Sequence, residues 1–149
     1  MTTSKQPIFS AWEAAAGRGM TGDPLWSVQA YRISMYVVDC HASDRESNPR
    51  LTQAAAIDQL TRALGSIAAN IAEGYSRASS AERLRFYGYA LGSTREAITW
   101  YNTLRAELGP VAESRQDSLV QIRRLLLTTL RRARTKDPTS MLRDFDVNG

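Results

Sequence analysis

Arginine is the residue type in this sequence with the clearest potential for binding chemistry. Lys5 and Lys136 are the two lysines, so 17 of the 19 basic residues are arginines. Guanidinium groups bind phosphates through paired hydrogen bonds, which makes arginine suited to polyanion recognition. The alternative explanation is a G+C-rich genome, which raises the Arg and Ala content together, and the composition by itself favours that explanation.

The basic residues are concentrated between Glu113 and Lys136. This stretch holds seven basic and two acidic residues, a charge of +5, whereas the whole chain carries +4. Arg124, Arg131 and Arg134 are spaced by seven and three residues, which places them on one face of a helix. The predicted nucleic-acid-binding residues on this helix are Arg123, Arg124, Arg131, Arg132, Arg134 and Lys136.

A smaller basic group, Arg77, Arg83 and Arg85, lies earlier in the chain and completes the predicted binding set. Contacts of these residues with nucleic acid would depend on backbone charge and shape, with little reading of base sequence. For the fourth helix, the alternative to nucleic-acid binding is a solvated face whose cations offset the dipole at the helix C-terminus. The sequence leaves both explanations open.

Residue types typical of catalysis are scarce in this chain. The single histidine, His41, is adjacent to the single cysteine, Cys40, and close to Asp39. Sequence neighbours at a helix end rarely bring an imidazole into line with a thiol, and a zinc site needs three or four ligands. We therefore predict a protein that is not an enzyme and has no catalytic residue, no metal site and no cofactor.

Four helices are predicted to position these residues, because apolar residues recur at alternating spacings of three and four. Their starts and ends are marked by Asp23-Pro24, by a Ser79-x-x-Glu82 capping box and by Gly109-Pro110. The short connections predict an all-α fold, specifically an antiparallel up-down four-helix bundle. The predicted helices span about 24–41, 51–76, 80–108 and 112–136.

The bundle domain is predicted to cover residues 23–136. Residues 1–22 are predicted to form a flexible N-terminal arm, interrupted by glycines, and residues 137–149 a C-terminal tail. The alternative for the arm is a short docked helix, since Phe9, Trp12 and Ala16 lie at helical spacing.

The apolar content exceeds what one bundle needs. Leu125, Leu126, Leu127 and Leu130 cover more of the fourth helix than a single seam requires. Such a surplus predicts a homo-oligomer. A lone cysteine suits the reducing cytoplasm, and no apolar run reaches the length that spans a bilayer, so we expect a cytoplasmic protein with no membrane partner.

One motif connects the chain to a known family. The segment 66–77 reads S-I-A-A-N-I-A-E-G-Y-S-R and is preceded by Q-L-T-R-A at 59–63. It resembles the S-I-x-x-N-I-A-E-G-x-x-R signature of the four-helix-bundle proteins encoded by intervening sequences of bacterial 23S ribosomal RNA genes. The resemblance covers about residues 25–110.

The resemblance implies an antiparallel bundle that assembles into a ring-like homo-oligomer, typically a pentamer. Related bundles serve as accessory proteins of diversity-generating retroelements, where they bind nucleic acid and a reverse transcriptase. The signature in this chain looks closer to the ribosomal intervening-sequence branch.

The motif residues also have a direct structural interpretation. Asn70 in mid-helix predicts a buried polar contact, and Glu73 is spaced to pair with Arg77. Gly92-Ser93 predicts a notch through which another helix approaches closely. Together with Gly74, these residues are predicted to be a packing signature, and the alternative is that they form part of a binding surface.

Two functional hypotheses follow. The first is an oligomer that binds structured nucleic acid, with RNA favoured, as an adaptor for an RNA-handling enzyme such as a reverse transcriptase. The alternative is a protein-interaction scaffold ring with no nucleic-acid binding. The two differ in whether the basic fourth helix faces solvent in the assembled ring.

Overall fold

Helices account for all regular secondary structure in the computed structural model, which describes the backbone of residues 6–136 and the side chains of residues 6–135. The all-α class is therefore confirmed for this part of the chain. The long helices are α3 (Gln29–Ser47), α4 (Ala54–Tyr75), α5 (Ser80–Thr103) and α7 (Pro110–Lys136). The short ones are α1 (Phe9–Ala14), α2 (Arg18–Thr21), a 3-10 helix (Pro24–Ser27) and α6 (Arg105–Leu108).

Each long helix packs against two others and buries its apolar seam between them. Helix α4 packs on α3 and α5, and α7 packs on the same two helices. Each large apolar side chain removed from water contributes about 1.5–3 kcal/mol, so this shared core is the main stabilising feature. Its fully buried members include Val37, Leu60, Leu64, Ile67, Ile71, Tyr101, Leu119 and Ile122.

Helix α3 continues past its predicted end. The sequence predicts a helix that starts at Asp23-Pro24 and ends within residues 41–44, but α3 extends to Ser47. The predicted start is also wrong, because Asp23 caps the separate 3-10 helix, Val28 is extended and α3 begins at Gln29. His41 and Asp44 are buried, and both are bonded to other helices: His41 to Thr61 of α4, Asp44 to Arg115 of α7. These tertiary contacts outweigh the modest helix propensity of His, Ser and Asp.

The boundaries of α5 and α7 follow local chemistry. The Ser79 hydroxyl accepts a hydrogen bond from the Glu82 backbone N–H at 3.1 Å, which confirms the predicted cap of α5. The predicted third helix is divided, because α5 ends at Thr103 and α6 follows. Gly109 then adopts φ 59°, a conformation that favours glycine, and Pro110 begins α7.

The N-terminal segment is docked on α3 over the residues that the structure describes. The ring centroid of Tyr36 lies 5.4 Å from that of Phe9 and 5.6 Å from that of Trp12. Trp12 Nε1 donates to Asp39 Oδ2 at 2.8 Å, and the Tyr36 hydroxyl donates to the Pro7 carbonyl at 3.0 Å. The structure differs here from the expected flexible arm, because aromatic burial holds α1 as a short docked helix. The predicted tail, 137–149, lies outside the described residues.

Candidate nucleic-acid interface

The basic half of α7 presents most of its predicted binding residues to solvent. The half-buried exception is Arg123, and the side chain of Lys136 lies outside the described residues. The exposed members are Arg124, Arg131, Arg132 and Arg134.

The arginine-bearing face of α7 lies toward α5. Gln116 marks that side of α7, because its Nε2 donates to the Ile98 carbonyl of α5 at 3.1 Å. Arg123 and Arg134 follow Gln116 by 7 and 18 residues, which is about two and five helical turns. By this register both arginines lie along the boundary between α5 and α7.

The structure brings the two arginine groups to the same end of the molecule. Helix α7 begins seven residues after α5 ends and packs along it, so the two helices run antiparallel. From the contact between Gln116 and Ile98, 15 residues forward along α7 lead to Arg131, and 15 back along α5 lead to Arg83. Because both helices rise about 1.5 Å per residue, these arginines lie at one level. Arg123 and Arg124 lie about two turns before Arg131, level with the middle of α5. We call the eight arginines on this half of the molecule the basic end: Arg77, Arg83, Arg85, Arg123, Arg124, Arg131, Arg132 and Arg134.

Two residues of the smaller group, Arg77 and Arg83, make contacts that stabilise the turn between α4 and α5. Arg77 forms the predicted ion pair with Glu73, and its guanidinium lies 4.9 Å from the centroid of the Phe86 ring. Arg83 Nη2 donates to the carbonyl of Arg77 at 3.2 Å. Arg85 is exposed and lies 5.8 Å from the Phe86 ring. Within this group, Arg85 is therefore the residue best placed to meet an anion.

The polar residues of the motif lie between α4 and α5. Asn70 Nδ2 donates to the carbonyl of Ser66 at 2.9 Å and to its hydroxyl at 3.0 Å. The Ser66 hydroxyl in turn contacts the Ser93 hydroxyl across the two helices at 2.9 Å. Asn70 is half-buried, so the predicted polar contact is present as a small network that aligns α4 with α5.

The predicted notch at Gly92 is wrong, and the close approach occurs at Gly74. A Cβ built on Gly92 meets nothing within 4 Å. A Cβ on Gly74 lies 2.9 Å from the Phe86 Cβ and 3.0 Å from the Arg83 carbonyl oxygen. The sequence shows only that both positions are glycine, whereas the crossing of α4 and α5 decides which one is tight.

Replacing Gly74 with Ala is expected to lower the free energy of unfolding by about 1–3 kcal/mol, because the added Cβ overlaps backbone and Cβ atoms that cannot move aside. Gly92→Ala is the matched control. It is expected to raise stability by up to about 1 kcal/mol, since alanine is the better helix former and the space is open. Urea unfolding measures both, and equal effects of the two substitutions would contradict the close approach.

A buried ion pair links α3 to α7. Arg115 Nε lies 2.8 Å from Asp44 Oδ2, and Arg115 Nη2 lies 2.9 Å from Asp44 Oδ1. Burial by itself lowers the pKa of Arg115, but the hydrogen bonds and charge of Asp44 more than offset it and raise that pKa above its usual value. The spacing in the sequence could have indicated that Arg115 lies on the buried face of the fourth helix. Arg115 follows the seam residue Ala112 by three residues and precedes Leu119 by four.

Cys40 and His41 are both buried. Burial raises the pKa of the Cys40 thiol to about 11, and burial together with the charge of Arg45 lowers the pKa of His41 to about 4. The His41 Nε2 bonds Thr61 Oγ1 at 2.8 Å. Among the described residues, no group of three or more His, Cys, Asp and Glu side chains is placed to hold a metal ion.

Comparison with known protein families gives a match for this chain. The family model of the 23S rRNA-intervening sequence protein matches residues 28–127. This chain belongs to that family. None of the curated proteins matches this chain. Within the described part of the chain, no helix has the length and apolar character needed to cross a membrane.

The family match ends inside α7. Arg77, Arg85 and Arg124 lie within the matched residues, whereas Arg131 and Arg134 lie beyond residue 127. The most basic part of the chain thus lies partly beyond the residues that the family model matches.

Proposed function

We propose that this member of the 23S rRNA-intervening sequence protein family is a non-enzymatic protein whose basic end binds structured nucleic acid, with RNA favoured, mainly through phosphate contacts. The convergence of the two arginine groups at one end of the molecule carries the proposal. Arg124, Arg131 and Arg132 are exposed, so a phosphate reaches them without displacing core contacts. Each guanidinium offers two parallel donors to a phosphate.

The proposed architecture is an antiparallel, up-down four-helix bundle that assembles into a ring-like homo-oligomer, with a pentamer favoured. The cyclic packing of α3, α4, α5 and α7 supports the bundle. Apolar side chains that remain accessible support the assembly, since Ile8 is 72% exposed and Leu125 and Leu127 of α7 are only partly buried. Native mass spectrometry tests this part, with about 82 kDa expected for five copies of a 16.5 kDa chain.

The proposed role is that of a cytoplasmic adaptor, which presents RNA to an RNA-handling enzyme such as a reverse transcriptase. The competing proposal is a scaffold ring that binds another protein and no nucleic acid, and the same exposed apolar side chains favour it. The two proposals differ in how the arginines are used. In the scaffold the arginines of α7 only solvate the surface, and pairing of these arginines with carboxylates of neighbouring copies would favour it.

A triple variant in which Gln replaces Arg124, Arg131 and Arg134 is expected to bind RNA more weakly than the wild type. Its affinity should also depend less steeply on salt concentration. Each phosphate contact contributes about 0.7–0.9 to the slope of log K against log salt concentration, so the triple variant should lose about 2–3 in slope. Fluorescence anisotropy of a labelled RNA hairpin, titrated with the intact protein at four salt concentrations, measures both quantities.

The matched control is a second triple variant that removes the same number of positive charges at positions away from the basic end. Arg45, Arg50 and Arg62 are exposed, and replacing them with Gln should leave the salt slope within about 0.5 of the wild-type value if those residues make no phosphate contact. Absence of wild-type binding at low salt, with the oligomer intact, would refute the nucleic-acid role and favour the scaffold. Equal loss in both triple variants would contradict the assignment to the basic end.

A further inference from the structure

An exposed aromatic ring lies beside the basic end. Tyr89 is 51% exposed, although it occupies the middle of a long, well-packed helix. It packs edge-to-face on Phe86, with ring centroids 5.8 Å apart and planes at 90°. The phenol ring is thus supported on one side by a protein side chain and remains accessible to solvent.

The support beneath Tyr89 is rigid. Phe86 is half-buried, and its Cβ abuts α4 at Gly74, where an added Cβ would lie only 2.9 Å away. Phe86 is therefore held by the closest contact between α4 and α5. A ring that rests on such a support loses little conformational freedom when it stacks on a ligand.

Two guanidinium groups lie close to the Phe86 ring of this aromatic pair. The guanidinium of Arg77 lies 4.9 Å and that of Arg85 5.8 Å from the Phe86 centroid. The charge of Arg77 is partly offset by Glu73. Arg85 precedes Tyr89 by four residues, about one turn, so both project from the same exposed face of α5. Together these residues, Arg77, Arg85, Phe86 and Tyr89, are called the Tyr89 patch.

We propose that the Tyr89 patch binds one unpaired nucleotide, with its base stacked on Tyr89 and its phosphate at Arg85. An exposed aromatic ring beside arginines matches the two chemical features of single-stranded nucleic acid, a π-face and an anionic backbone. A duplex offers the phosphates but keeps its bases stacked on one another. An acidic peptide offers carboxylates without a planar base.

This inference rests on the proposed function and makes it more specific. Arg131 lies at the level of Arg83, and Tyr89 lies six residues further along α5, about 9 Å. Tyr89 is also nine residues, or about 2.5 turns, from Ile98, so it projects from the side of α5 that faces away from α7. In the proposed complex one structured RNA spans this short axial separation and follows the exposed surface of α5. The paired stem contacts the arginines of α7, and a loop or bulge nucleotide occupies the Tyr89 patch.

The test compares two RNA probes of equal charge, one a hairpin with an unpaired loop and the other a fully paired duplex. Tyr89→Leu removes the π-face and retains apolar bulk, while Tyr89→Phe retains the ring. We expect Tyr89→Leu to weaken hairpin binding about 5- to 100-fold and to change duplex binding less than about twofold. Tyr89→Phe should bind both probes as the wild type does, and Arg85→Gln should weaken hairpin binding.

Other outcomes separate this inference from the proposed function. Wild-type affinity of Tyr89→Leu for both probes, or an equal loss for both, overturns the nucleotide site and leaves phosphate binding by the basic end intact. A changed oligomeric mass of Tyr89→Leu in native mass spectrometry assigns the ring to a contact between copies and also overturns it. Failure of the wild-type protein to bind either probe at low salt refutes both proposals together.

Discussion

Replacing Arg115 with Met is expected to lower the free energy of unfolding by about 3–5 kcal/mol, the largest effect on stability that we predict. Arg115 holds both carboxylate oxygens of Asp44, and both residues are almost completely buried, with exposures of 5% and 2%. The variant leaves an unpaired carboxylate in the core between α3 and α7. Urea unfolding at a fixed protein concentration measures the loss, because an oligomer's stability depends on concentration.

The double variant Asp44→Leu/Arg115→Met tests the physical reason. It removes both charges, so it should be more stable than Arg115→Met despite carrying one more substitution. The exposed pair of Arg105 and Glu113, 4.0 Å apart, supplies the comparison. Arg105→Met should cost less than about 1 kcal/mol. Equal losses for Arg105→Met and Arg115→Met would contradict the argument from burial.

Lowering the pH from about 6.5 to 4 is expected to remove about 3 kcal/mol of stability through His41 alone. Burial, with the nearby charge of Arg45, lowers the pKa of His41 from 6.5 to about 4. The unfolded chain therefore gains a proton near pH 6.5, whereas the folded protein does so only near pH 4. Between those values the unfolded state binds more protons, so stability falls as the pH falls, and below pH 4 the loss is complete.

The hydrogen bonds around His41 determine which tautomer the neutral ring adopts. The Thr61 hydroxyl donates its hydrogen to the Ile57 carbonyl at 2.8 Å, so Thr61 Oγ1 accepts from His41 Nε2. Nε2 therefore carries the proton of the neutral ring. The edge-to-face contact with Tyr101, at 6.5 Å between centroids, adds an apolar neighbour.

His41→Gln isolates this contribution, because an amide keeps a donor for Thr61 but does not titrate. Urea unfolding of the wild type and of His41→Gln at several pH values from 7.5 to 4 gives the difference between their free energies of unfolding as a function of pH. We expect the difference to decrease steadily below pH 6.5 as the wild type loses its advantage. A difference that does not change with pH would show that His41 remains solvated in the folded protein.

The sequence determined the features that depend on residues close together in the chain. Apolar spacings of three and four predicted α3, α4, α5 and α7, and the Ser79 cap placed the start of α5. The ion pair of Glu73 with Arg77 was also predicted, because helical geometry alone brings residues four apart together. The motif at 66–77 indicated the family that the comparison then showed.

The tertiary structure decided which distant residues meet. Asp44 and Arg115 are 71 residues apart, and their pairing lies in the part of α3 near and beyond its predicted end. The crossing of α4 and α5 made Gly74 the tight position in place of Gly92. The antiparallel course of α5 and α7 brought the two arginine groups to one end. Each result depends on the relative placement of whole helices, which the summed packing of the core decides and no local pattern encodes.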